Sequence, residues 1–347
     1  MLSTRELSTE KSREQEHLLI FHSRRSEEMD EGLTKKTSKD VFIKAFISIA
    51  FSVVLLCLEF TSLIFTLPLL AFVATSRRED GLKVFLPAAL ILIIRSLYYS
   101  WGLDDMGLWV CIDLYVPLSL LVAGYVWTIS KGRLEKRLFL SLLPALLATI
   151  LFGLVFFMDR ALFDAFYSSM KDAFATVMES ALATLGIEAD IDFLFLMVST
   201  TVGVFAFPTI TAAACVSFFF YEGKRHSRET ALDDVVASIE LNTNLVWVLI
   251  LSLALLMSSR FISMPLVFSM AFLSLVLTML LVYSIQGFSV LMAWIKNGGV
   301  NMKSTTLFIV LLMLSLFMPG LNIVVLFGLP VLGLIENFFN IKTRRKK

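Results

Sequence analysis

Histidine and cysteine are scarce in this chain, three of each in 347 residues. His17, His22 and His226 all lie outside the long apolar runs, so an intramembrane haem or zinc would find no imidazole there. Cys57, Cys111 and Cys215 stand singly in or near apolar stretches and read as small packing residues, not as disulfide partners or metal ligands. No Gly-rich phosphate loop ends in Gly-Lys-Ser/Thr, and HExxH, Cys-x-x-Cys and Gly-x-Ser-x-Gly motifs are also missing. A hydrolase working inside a bilayer needs a Ser/His pair, two aspartates or a metal set. The single crossings hold no histidine and only Asp113. The expectation is a non-enzymatic protein without cofactor or metal and without a nucleic-acid partner.

What the chain does have is apolar length. It is 57% hydrophobic, carries 31 Phe, and has a mean hydropathy of +0.81. Stretches such as 138–158 and 241–257 are long enough, at about 1.5 Å per residue, to cross a hydrocarbon core of roughly 30 Å. A soluble fold has no place for that surface. The fold class is therefore all-α, a polytopic transmembrane helical bundle whose lipid bilayer is its first partner. The net charge of +1 is uninformative, but its distribution is not. Of 30 Lys and Arg, all but Arg95, Arg160, Lys171 and Arg260 fall in segments that alternate to one side. The positive-inside rule places both termini in the cytoplasm, with a bacterial inner membrane as the expected location.

Residues 1–40 carry charges of both signs and read as a disordered cytoplasmic tail, with residues 41–347 forming the bundle. The first apolar run is too long for a signal-peptide core and is expected to be an uncleaved anchor. Two runs of 35 residues, 41–75 and 304–338, have basic flanks on both sides, so each must cross an even number of times. Breaks are expected near Glu59–Thr61 and at Pro319–Gly320, giving short or re-entrant hairpins. Between them lie single crossings at 84–101, 108–129, 138–158, 193–221, 241–258 and 265–296, which makes six to ten transmembrane helices in all. Tyr98, Tyr99, Trp101 and Trp109 mark the outer interface, Trp127 and Trp294 the inner one. Segment 159–186 differs in kind. Leu162, Phe166, Met170, Phe174, Val177, Ala181 and Leu185 recur every three or four residues, opposite Asp164, Asp172 and Glu179. It reads as an external amphipathic helix or helix pair, either resting on lipid or covering a pocket.

An ionisable group inside a span costs about 2.5–3.5 kcal/mol on insertion scales, so each calls for a partner or a purpose. Arg95 and Asp113 lie at similar depth, on helices joined by a short loop, and should face each other. Glu59 tops the first hairpin on the same side. Two readings stay open: Arg95 snorkels to the headgroups with Asp113 answering it, or the three line an outward-facing polar pocket. Thr200, Thr201, Thr209 and Thr211 flank Pro208, where hydroxyls can satisfy backbone freed by proline. Tyr283 and Gln286, beside Gly287, put a phenol and an amide on one helix face for interhelical hydrogen bonding. Asn242 and Asn244 read as helix caps, and Glu336 has Lys342 and Arg344 nearby as charge partners.

Four stretches carry a likeness: Leu67-Pro68-Leu69-Leu70 before a basic turn, Phe207-Pro208, Tyr283-Ser284-Ile285-Gln286-Gly287, and the C-terminal run from Gly328-Leu329-Pro330 to Glu336-Asn337-Phe338-Phe339-Asn340. Over about residues 41 to 345 the chain resembles the YybS-like bacterial membrane proteins. That family is similar in fold to the substrate-capture subunits of energy-coupling-factor vitamin importers and to MreD-type envelope scaffolds. The resemblance implies either a small-molecule-binding transport component, its outward-facing pocket at Glu59, Arg95 and Asp113, or an envelope-assembly or cell-morphology scaffold. The implied partners are importer coupling proteins or envelope machinery, respectively. One departure is visible: Ala45/Ala50 and Ala71/Ala74 lack the Ala-x-x-x-Ala spacing by which capture subunits dock on a coupling protein.

Overall fold

A computed structural model describes residues 40–76, 80–102, 106–132, 134–187, 189–226, 232–237, 239–259, 261–262, 264, 266–300, 302–317 and 321–339. The tail, Pro319–Gly320 and the C-terminal basic run lie outside the described residues. Among the described residues there is no strand, and seven helices are long and apolar enough to cross a membrane. The chain is an all-α polytopic bundle.

The helices are α1 (Asp40–Cys57), α2 (Leu67–Thr75), α3 (Gly81–Tyr99), α4 (Met106–Ile129), α5 (Leu134–Met158), α6 (Arg160–Leu185), α7 (Ile191–His226), α8 (Leu232–Ala237), α9 (Leu245–Ser258), α10 (Leu266–Asn297), α11 (Ser304–Phe317) and α12 (Leu321–Phe339). The first apolar run breaks where Glu59 interrupts it. Leu58 turns extended, and a 3-10 helix over Glu59–Ile64 replaces the α-helix. Hydroxyls satisfy the backbone this exposes. Ser52 donates to the Phe65 carbonyl, Thr61 to the Leu55 carbonyl at 2.8 Å, and Thr66 meets Ser217 of α7 at 3.1 Å. The break is only partly covered: Leu58 is exposed and 61–64 are half-buried, whereas Phe65 and Thr66 are buried.

α2, α3, α4, α5 and α7 share the largest core, where Leu70, Phe85, Ala123, Ala145, Ile210 and Phe218 are buried. α10 organises the rest of the chain, packing on α7, α9, α11 and α12. The outward apolar side chains, among them Phe42, Phe46, Leu86, Leu151, Val202, Leu251 and Phe327, are exposed and form the lipid-facing surface.

Segment 159–186 is one helix. Asp159 caps α6, accepting from the Leu162 amide at 3.0 Å, and Gly186 ends it at φ 66°. Phe166 meets Trp109 edge-on, and Tyr167 and Phe174 pack on Phe195. Lys171 pairs with Asp192 at 3.0 Å, and that hydrogen bond holds the ammonium above its usual range. α6 thus lies over the ends of α4 and α7, opposite the cation-rich end.

At the cation-rich end, Asp233 of α8 accepts from the Ser304 amide at 2.7 Å, at the first turn of α11. Burial pulls the Asp233 carboxyl up, but hydrogen bonding by Ser304 and the charges of Lys296 and Lys303 outweigh it and hold it below the usual range.

Candidate functional site

The structure brings Arg95 and Asp113 together in the seam between α3 and α4. Arg95 Nη1 stands 3.4 Å from Asp113 Oδ2, and the guanidinium lies 5.1 Å from the centroid of the exposed Tyr99 ring. The two side chains remain 28% and 37% exposed, so the pair is half open. Glu59 sits in the 3-10 helix, but its side chain lies outside the described residues.

A second ion pair, at the cation-rich end, is far more deeply buried. α7 continues to His226, past the expected end at 221, because Phe218 and Glu222 extend its buried face by one more turn. Glu222 Oε1 thereby reaches Arg137 Nη1 of α5 at 2.7 Å, with side-chain exposures of 2% and 9%. Trp127 of α4 joins them, its indole N–H donating to Glu222 Oε1 at 3.1 Å. Its ring stacks on Phe218 at 4.2 Å, and the Arg137 guanidinium lies 4.2 Å from its centroid. Arg137 also donates to the Trp127 carbonyl at 3.0 Å. Trp127 is 1% exposed, so it does not mark the lipid interface as its position in the sequence had implied. It belongs to a node that ties α4, α5 and α7 by charge, hydrogen bond and ring contact.

Sequence reasoning missed this node because its spans 138–158 and 193–221 stop one residue short of Arg137 and Glu222. Glu222 does continue the helical spacing of Phe218, which marks a longer α7, but its meeting with Arg137 of α5 is set by tertiary packing.

Beside the node a small cleft opens where α4, α5 and α7 meet α10. Trp127, Leu138, Phe218 and Val282 are among its walls, and Glu135 and Glu222 lie on its border. Its volume of about 20 Å³ admits a water molecule or two, well short of a drug-sized guest. About 28 Å away along α7, the Met270 methyl of α10 rests over the exposed Gly203.

The secondary polar residues separate. On α10, Gln286 Nε2 donates to Asn337 Oδ1 of α12 at 2.8 Å, and the Tyr283 hydroxyl lies beside the same Asn337 without hydrogen-bond geometry. α10 and α12 touch backbone to backbone here. A Cβ added to Gly287 would stand 1.9 Å from the Leu329 carbonyl oxygen, and one on Gly333 would stand 2.1 Å from that of Tyr283. Thr201 instead bonds its own helix at the Met197 carbonyl, 2.7 Å, and is exposed, while Thr200 is half-buried. Thr211 donates to the Phe207 carbonyl at 3.0 Å, so neither bonded threonine reaches the Val204 carbonyl that Pro208 leaves free. Asn244 stands at the N-cap of α9 but makes no side-chain cap. Asn242 accepts from the Asn244 amide at 2.9 Å in a turn of its own. Glu336 is buried on α12, while Lys342 and Arg344 lie outside the described residues.

Among the described residues, the Arg95–Asp113 and Arg137–Glu222 pairs, the polar crossing of α10 and α12 and the small cleft are polar features set between helices. No family model, no curated protein and no solved structure matches the chain.

Proposed function

We propose that the chain is a small-molecule-binding component of a membrane transport system, working through the cleft beside Arg137, Trp127 and Glu222. The observation that carries this reading is the placement of a fully buried ion pair at the edge of a cleft between helix sets, in a chain that crosses a membrane. Ionised groups in such a place are expensive and mark pathways or switches more often than they add stability. The positive-inside rule puts this cleft on the cytoplasmic side. The reading therefore moves the working site away from the outward-facing pocket at Glu59, Arg95 and Asp113. The cleft admits only water as it stands, so a guest requires α10 to move away from α7.

A second reading, an envelope scaffold, is favoured by the small size of the same cleft, since a scaffold needs only a closed bundle. Native mass spectrometry of the protein released from its own membranes separates the two. The transport reading expects a bound small molecule that disappears when Val282→Trp fills the cleft. No bound molecule, or one indifferent to V282W, sinks the transport reading and leaves the scaffold.

A further inference from the structure

At the crossing of α10 and α12, three buried polar atoms make no well-formed hydrogen bond among the described residues, Tyr283 Oη, Gln286 Oε1 and Asn337 Nδ2, although the Tyr283 hydroxyl lies close to Asn337. Tyr283 is 0% exposed and Gln286 1%, and both face Asn337, so these atoms belong to one cluster. A buried polar atom without a partner costs free energy, most of all where lipid surrounds the bundle and bulk water cannot reach it.

We propose that this crossing holds one small neutral hydrogen-bonding guest, a water molecule, bridging Tyr283 Oη, Gln286 Oε1 and Asn337 Nδ2. The set comprises one acceptor, one donor and one hydroxyl that does both. Water satisfies all three, at the three bonds typical of a buried water. A bare cation would face the Asn337 amide hydrogens, and an anion would face the Gln286 carbonyl, so the set selects a neutral guest.

The conclusion does not depend on how the amides are oriented. Flipping Asn337 alone would set two NH₂ groups against each other, so Gln286 must flip with it. The spare atoms then become Asn337 Oδ1 and Gln286 Nε2, still one acceptor and one donor beside the phenol. Gly287 and Gly333 hold the α10 and α12 backbones in contact beside this cluster. The guest would pin α12 to α10.

Two measurements on the full-length protein in detergent decide the matter. Removing the phenol oxygen in Tyr283→Phe should lower the melting midpoint by about 2 °C or more if a bridging water bonds it. Removing a truly unbonded hydroxyl would leave the midpoint unchanged or raise it. Radiolytic hydroxyl-radical labelling of the wild-type protein should oxidise Tyr283 despite its burial, because radicals arise from bound water in contact with the ring. A midpoint that holds or rises in Y283F, or an unlabelled Tyr283, overturns the proposal.

Discussion

Arg137 and Glu222 lose nearly all contact with solvent, whereas Arg95 and Asp113 keep about a third of theirs. That difference decides which pair matters energetically. Deleting one member of the buried pair leaves an uncompensated charge and should cost about 3–5 kcal/mol, while the double change Arg137→Met with Glu222→Leu should cost less than either single change. The half-open pair should be worth about 1 kcal/mol or less, with nearly additive losses. Both double-mutant cycles can be read from unfolding in mixed detergent. Strictly additive losses at Arg137 and Glu222 would remove the node from the account. Trp127→Phe keeps the stack on Phe218 but strips the donor from Glu222, and should cost about 1–3 kcal/mol in the same assay.

At the scale of helices, glycine separates contacts that can yield from contacts that cannot. Gly287 and Gly333 face backbone carbonyls, whereas Gly203 faces only the flexible end of Met270, and Gly153 has open space within 4 Å. Gly287→Ala and Gly333→Ala should force α12 off α10 and lower the melting midpoint by several degrees, on the order of 2–4 °C per kcal/mol lost. Gly203→Ala and Gly153→Ala should leave it nearly unchanged. A tolerant Gly287 would mean that the crossing is looser than described.

Much of the helix layout was legible from apolar run length alone. The exception is the run 241–258, expected to cross, which forms only the 14-residue α9, shorter than the seven span-length helices, because Asn242–Asn244 turn its first residues out of the helix. The break at Glu59 was legible because an ionisable group and two hydroxyl residues interrupt an otherwise apolar run. The approach of Arg95 to Asp113 was legible from matched depth across a short loop. Two things were not. Where α7 ends depends on Glu222 finding Arg137, a tertiary event that no local pattern states. The backbone contact of Gly287 with Leu329 joins helices far apart in sequence and leaves no trace in the local periodicity of either.

Across the whole molecule, one asymmetry organises everything: cations, the buried node and the cleft share one end, and α6 covers the other. The transport reading requires that cation-rich end to face the cytoplasm, with the cleft opening there. The direct measurement is cysteine labelling in intact cells with a membrane-impermeant maleimide, in a background with Cys57, Cys111 and Cys215 replaced by Ala. Asp172→Cys on α6 should label at once, and Glu135→Cys at the cleft border should label only after the membrane is permeabilised. Labelling of position 135 from outside while position 172 stays protected would contradict the account at its foundation.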